Sequence, residues 1–351
     1  MDDALGTAPG DAFRRRPGLG PHCVGRRVVV RRLVPGEQGP TGGPALTDVL
    51  GTMLVWGPDT TVVEREDGTR VTIVISDIVS GKPVPPRPSV RLRVTPAEAE
   101  RRALRGWPAV EVEGLGDWSL RASGGFSARA NSALVVGSPG CPLDEGLETV
   151  LEFYLARDLP PLAQVVVGSD EEADLLARGW RDARPGEAPT SFQVASVAQV
   201  ARRLRGLPRR DYAPEAVVTD RVDPRWLATD ERARRHQDAA IAVLEGPEVV
   251  SFVMLGDPPV ARGRMSLTDD WAGITDVWVS PDRRRLGLAV EVVRELVGRA
   301  AEQGATTAYL QVRGDNPAAL GLYDRLGFVT HHEYRYLAGP PPPEARVDQS
   351  T

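Results

Sequence analysis

Two short stretches of this 351-residue chain carry the side chains best suited to chemistry. The first is Arg284-Arg285-Leu286-Gly287-Leu288-Ala289, placed between a β-prone run, Ile274-Thr275-Asp276-Val277-Trp278-Val279, and a segment of helical periodicity. Gly287 and the small Ala289 let backbone approach a ligand closely, and the first free N–H groups of a helix point the same way, so the turn can hold an anion the size of a pyrophosphate. The second is Asn316-Pro317-Ala318-Ala319-Leu320-Gly321-Leu322-Tyr323-Asp324-Arg325-Leu326-Gly327-Phe328. It reads as a short helix capped by Asn316, begun by Pro317 and closed by Gly327. Its Tyr323 reads first as a core aromatic, since Leu320, Tyr323 and Leu326 share one face.

These residues need a strand, a helix and a second strand to hold them. Val290, Val293, Leu296, Val297 and Ala300 recur at helical spacing, Glu295 is positioned to pair with Arg299 one turn on, and Gly304 supplies the stop. A strand over residues 308–312 then leads to the second stretch.

The Arg-x-x-Gly-x-Ala turn, its place after a strand ending Val-Ser-Pro, and the later Asn-Pro-Ala…Leu-Tyr-Asp-Arg-Leu-Gly-Phe resemble, in order and spacing, the cofactor motifs of the GNAT acyl-CoA N-acetyltransferases. The resemblance implies acetyl-CoA as acyl donor and no metal. It implies that Val277, Trp278 and Val279 run beside the pantetheine arm and that Arg284, Arg285, Leu286, Gly287, Leu288 and Ala289 hold the pyrophosphate. Asn316 would contact that arm or order its loop, and Tyr323 would protonate the departing thiolate. Arg283 and Arg285 either add charge near the phosphates or are simply exposed. Many family members carry a glutamate base early in the strand before the turn, but Gly273 aligns with it here. Asp269, Asp270 and Asp276 remain, of which Asp276 is the choice; its alternative role is a carboxylate at a sheet surface. An amine with pKa about 10 also arrives through its small neutral fraction.

The rest of the chain fits two or three modest domains. A net charge of −5 argues against a general nucleic-acid binder. Lys82 is the only lysine, so arginine clusters such as Arg202-Arg203-Leu204-Arg205 are first read as solvated faces. Cys23 and Cys141 are far apart, and His22, His236, His331 and His332 show no metal spacing with them. No secretion signal or membrane span is recognised, which leaves a cytoplasmic protein as the expectation.

Residues 1–22 read as a disordered start, and residues 23–88 as a small β-barrel of the Src-homology type. Its strands lie at residues 28–30, 51–56, 60–64 and 71–75, with a hairpin turn at Asp67-Gly68, a long loop over 35–44 and an exit linker over 83–88. The barrel either docks a partner or substrate, or only packs and supports a homodimer. Residues 95–210 show a helix from Thr95 to Gly106, strands at 118–122, 130–136 and 164–167, and helices at 143–155 and 171–178. That order repeats the later plan, as a degenerate GNAT-like unit whose turn, Ser138-Pro139-Gly140-Cys141-Pro142-Leu143, lacks the phosphate pattern. Residues 124–132 resemble a segment of two-part actinobacterial GNAT proteins with an N-terminal barrel, described both as N-acetylglutamate-synthase-like and as histone-acetyltransferase-like. Arg129 and Asn131 would then line an acceptor site, or else pair structurally and satisfy a turn. Residues 213–338 form the catalytic GNAT unit, with strands at 216–219, 249–255, 261–267 and 274–279 and a helical region at 224–236; residues 339–351 are a disordered tail.

The expected class is thus α+β, a β-barrel followed by two GNAT-like units with mixed, mainly antiparallel sheets facing each other across one acceptor cleft. The expected activity is acetyl transfer to a small amine, an amino acid or a protein lysine, with no role for nucleic acid or membrane. A non-catalytic acyl-CoA sensor or scaffold is the alternative that the missing glutamate favours.

Overall fold

The computed structural model describes residues 18–38, 42–65, 68–84, 90–209 and 212–341. The chain forms two units, residues 1–88 and 89–351. In the first, β1 (Arg27–Gln38), β2 (Pro44–Trp56), β3 (Thr60–Glu64), β4 (Arg70–Val74) and β5 (Ile78–Pro83) make an antiparallel sheet of order β4-β3-β2-β1-β5. Alternate residues Val28 and Val30 of β1 meet Val49, Met53, Val63 and Ile73 in its core. Gly51 makes the curvature possible, because a Cβ there would lie 2.1 Å from the Glu64 carbonyl oxygen.

Several expectations change here. Residues 35–38, expected as loop, are the end of β1, because Pro35 and Gly36 fall at a register shift between Leu33 and Gln38, where ladder donors are not required; residues 39–41 lie outside the described residues. The folded unit begins before residue 23, since Leu19 and Cys23 are buried in the core. Strand β5, missed because it contains Gly81 and ends at Pro83, uses that glycine to seat Leu19, whose Cδ1 would be 2.2 Å from a Cβ. The hairpin turn lies between β3 and β4 with Gly68 at φ +87; Asp67, most of the linker, residues 1–17 and residues 342–351 fall outside the described residues.

The second unit opens with α1 (Pro96–Gly106), whose cap Thr95 accepts from Glu98 N at 3.2 Å. Then follow β6 (Glu111–Leu115), β7 (Trp118–Ala122), β8 (Ala133–Leu134), α2 (Leu143–Leu155), β9 (Leu162–Val166), α3 (Asp170–Ala177), β10 (Arg181–Asp182), β11 (Thr190–Ser196) and α4 (Val197–Arg205). The later half contains β12 (Ala216–Thr219), α5 (Pro224–Ala228), α6 (Glu231–Arg235), α7 (Gln237–Glu245), β13 (Val249–Leu255), β14 (Ala261–Thr268), β15 (Trp271–Val279), α8 (Leu288–Glu302), β16 (Thr307–Arg313), α9 (Pro317–Leu326) and β17 (Val329–Ala338).

These strands share one sheet, ordered β12-β13-β14-β15-β16-β11-β17-β9-β8-β7-β6, with β10 on β17. Among the described residues only β15 with β16 and β8 with β9 are parallel. Strand β11, from the earlier half, lies between two strands of the later half, so residues 95–210 and 213–338 are one hydrogen-bonded body rather than two separate units. The Glu295–Arg299 pair expected on α8 does not form; Glu295 meets Arg209 at 3.5 Å and Arg299 meets Glu302 at 3.1 Å.

Arg264, fully buried on β14, fixes the junction beneath the sheet. It donates to Leu244 O near the end of α7 (2.8 Å), to Gly106 O at the end of α1 (3.2 Å) and to Thr275 Oγ1 (3.3 Å). Burial pushes its pKa down to about 10, which still leaves a cation at neutral pH facing the negative ends of two helices. Arg264→Leu should therefore lower unfolding free energy by about 3 kcal/mol, read from urea denaturation at an unchanged m-value, because it strands buried carbonyls.

Candidate active site

The site begins where two strands part. Strands β15 and β16 pair at Trp271–Thr307, Ala272–Ala308 and Gly273–Tyr309, and the pairing then stops, although β15 runs on to Val279. A bulge bends β15 away: Trp278 opposes Arg262 and Thr275 opposes Arg264, so Asp276 and Val277 together face Gly263, with Asp276 at φ +52. Along residues 274–279 the edge turned toward β16 has no partner strand among the described residues, and its peptide groups can pair with an extended ligand. Val277 and Val279 turn toward the core beneath the sheet, while Trp278 turns its ring to Arg262 at 5.8 Å.

The chain next enters the basic turn. Arg285 (φ +66) and Gly287 (φ +82) both adopt left-handed backbone, and α8 starts at Leu288. The N–H groups of Leu288 and Ala289 precede any intrahelical acceptor and make no backbone hydrogen bond among the described residues, which leaves them for an anion. Arg284 Nε leans back on Val279 O at 3.4 Å. Arg283 is engaged with Asp282 at 3.2 Å, whereas Arg285 makes no ion pair among the described residues. The Leu286 carbonyl accepts from the Tyr212 hydroxyl.

The corresponding turn of the earlier half lacks the Arg-x-x-Gly-x-Ala pattern, and the loop leading into α2 is tied down internally: Gly137 N donates to Glu171 Oε1 (2.8 Å), Ser138 N to Asp117 Oδ2 (3.0 Å) and Gly140 N to Ser138 Oγ (3.1 Å).

Helix α9 carries Tyr323 on its buried face, edge-on to Phe328 at 5.6 Å. Desolvation pushes its phenol up to about 12. Asn316 is the cap of α9, its Oδ1 accepting from Ala319 N at 3.1 Å. Gly273, aligned with the family's glutamate, has no room for any side chain: a Cβ there would be 2.5 Å from Tyr309 Oη, whose ring stacks on Phe192 at 5.3 Å.

Of the three remaining carboxylates, two lie at the opposite end of β15. Asp269 pairs with Arg105 at 2.6 Å and Asp270 accepts from Thr306 Oγ1. Asp276 alone lines a cavity of about 210 Å³ beside the splayed stretch. It faces Arg232 at 3.5 Å and Arg262 at 4.0 Å, and its buried Oδ2 makes no hydrogen bond. The cavity is walled by both halves: Trp107 and Arg129 come from the earlier one, Arg232, Asp276, Tyr334 and Tyr336 from the later. Arg129 lies over the Trp107 ring at 5.1 Å. Asn131 does not line the cavity. Its Oδ1 accepts from Ser123 N (2.8 Å) and Gly125 N (3.0 Å) and its Nδ2 donates to Ser127 O (2.8 Å), so it holds the loop that presents Arg129.

A polar network backs this cavity. His331 Nε2 meets Val94 O at 2.8 Å, and a carbonyl only accepts, so that nitrogen carries the proton. Neutral His331 then accepts at Nδ1 from His332 Nδ1 (2.8 Å), and His332 Nε2 shares a proton with Glu100 Oε1 at 3.0 Å. Glu100 also accepts from Gln164 (2.9 Å) and from Gln311 (3.4 Å), which lines the cavity. Sequence reading passed over Trp107, Arg232, Arg262, Tyr334 and Tyr336. The one available signal was Arg262-Gly263-Arg264, charge at alternate positions of a strand otherwise apolar.

Comparison with known proteins follows the same division. Residues 96–337 match the family described as Probable histone acetyltransferase Rv0428c C-terminal, and residues 22–82 match the Rv0428c N-terminal Sm-like domain. The Probable histone acetyltransferase Rv0428c of Mycobacterium tuberculosis is 29% identical over 92% of this chain and 95% of its own. The Uncharacterized N-acetyltransferase YobR of Bacillus subtilis is 28% identical over 67% of this chain and 96% of its own. A GCN5-related N-acetyltransferase from Kribbella flavida has a similar fold, with a TM-score of 0.50 at 19% identity over 70% of this chain and 96% of its own. The parted strands, the left-handed basic turn at the start of α8, and a sequence match that runs from α1 to β17 place the chain in the Rv0428c family of GNAT N-acetyltransferases.

Proposed function

We propose that the protein transfers an acetyl group from acetyl-CoA to a primary amine by direct attack on the thioester. The observation that carries this reading is the unpaired edge of residues 274–279 leading into the free N–H groups at the start of α8. Acetyl-CoA supplies the activated acyl group when bound. Val277 and Val279 hold its extended arm by main-chain pairing, and residues 284–289 hold its pyrophosphate. The acceptor enters through the cavity that Arg129 and Asp276 line, with Asn131 positioning Arg129.

Tyr323 is the proton donor to the departing thiolate. Its phenol, pushed up to about 12 by desolvation, is in the acid form at neutral pH and holds the proton that the thiolate takes. With Gly273 in place of a glutamate, Asp276 is the carboxylate left to take the amine's proton, directly or through water. Asp276 is also engaged by two arginines, Arg232 and Arg262, which fits equally a sensor that binds acyl-CoA without turnover; measured turnover separates the two readings.

Tyr323→Phe should lower kcat by about 100-fold while leaving the calorimetric Kd for acetyl-CoA within about threefold; unchanged turnover would remove Tyr323 from the mechanism. Gly287→Glu places a like charge at the phosphates and should weaken acetyl-CoA binding by at least roughly tenfold, read alongside Tm. As pH rises, kcat/KM should climb with deprotonation of the amine. A phenol near 12 adds no descending limb below about pH 11, since the acid form persists up to its raised pKa.

A further inference from the structure

We infer that the acceptor is a small amine that also bears a carboxylate, an amino acid or close analogue, held by Arg129 at its carboxylate with its amine toward Asp276. This rests on the acetyltransferase reading above.

The charges around the cavity carry the inference. Four arginines line it, and three are answered from within the protein: Arg313 by Asp315 (2.5 Å) and Glu187 (3.4 Å), Arg184 by Glu187 (3.9 Å), and Arg232 by Asp230 (3.0 Å) and Asp276 (3.5 Å). Arg129 makes no ion pair among the described residues, and its buried Nε makes no hydrogen bond. Buried donors are seldom left so. Its guanidinium is seated on Trp107, itself stacked on Phe126 at 6.0 Å, so the planar fork is oriented for a two-oxygen partner. The three hydrogen bonds of Asn131 fix the loop beneath it.

Asp276 is the only carboxylate among the described residues that line the cavity, and it sits on the splayed strand where the acyl group is expected. A single cavity thus offers an unanswered cation and, beside the donor strand, an anion, which complements a zwitterion. Its volume of about 210 Å³ has room for one amino acid. A lysine-rich segment would leave Arg129 without a carboxylate and bring positive charge beside it.

The test is the initial rate of thiol release from acetyl-CoA over free amino acids, their α-carboxamides and a lysine-rich peptide. At least one free amino acid should exceed its carboxamide in kcat/KM by roughly 10- to 100-fold. Arg129→Gln should collapse that ratio toward unity and Arg129→Lys should keep part of it, with acetyl-CoA affinity reporting that each variant is folded. Equal rates for acid and carboxamide, or preference for the peptide, would overturn the inference. If no amine is acetylated, the acetyltransferase reading fails instead, and calorimetric titration with the same amino acids decides the anchor by itself. Heat lost in Arg129→Gln upholds it; heat unchanged by that substitution, or none from any amino acid, overturns it.

Discussion

The parting of β15 from β16 beyond Gly273 and Tyr309 is the constraint that the rest of the second unit serves. Two neighbouring parallel strands would ordinarily stay paired to their ends. Here the bulge at Asp276 and Val277 turns one of them away, and Gly263 allows α8 to pack against the bend, since a Cβ there would be 2.6 Å from Val292 Cγ1. The same bulge aims Asp276 into the cavity, so the groove for the donor and a wall of the acceptor site come from one irregularity.

Arginine does inside this protein what its composition hides. Arg121, Arg262 and Arg264 are buried, and each satisfies several carbonyls or side chains at once. Arg203, from a cluster that sequence reading gives to solvent, donates to the Arg325 and Asp324 carbonyls at the end of α9 (2.9 and 3.3 Å) and so caps the helix that carries Tyr323. A five-donor planar group can close the ends of two elements together, which a lysine cannot do with the same geometry.

What was legible in the sequence was local. Thr95, Asn316 and Gly327 announce helix ends through caps whose geometry depends on a few neighbouring residues, and the basic turn declares its chemistry through Gly287. Strands β12 and β13 and the start of β14 agree with their β-prone runs. Legibility failed where partners are remote in sequence. Helix α7 was missed because its apolar residues follow directly on a helical stretch with no breaker between them. The run at 130–136 shrank to β8 because Ala128–Ala130 form a 3-10 turn stapled by Ser127 and Asn131. The acceptor cavity was half visible: Arg129 and Asp276 were singled out separately, but Trp107, Arg232 and Tyr334 reach it only through the fold. That Gly273 is kept empty by Tyr309 is likewise a fact of packing between strands.

Strand β11 gives this arrangement a consequence for how its two halves depend on each other. It belongs by sequence to the earlier half, yet it is laced on both sides to β16 and β17 of the later one. The earlier half lacks the Arg-x-x-Gly-x-Ala pattern in its own turn, and its loop before α2 is tied to Glu171 and Asp117. Its loss would nonetheless bare two strand edges in the middle of the surviving half's sheet, an open template for self-association. The earlier half is thus bound to the later one twice over, through the backbone of one strand and through the Arg129 that it lends to the cavity.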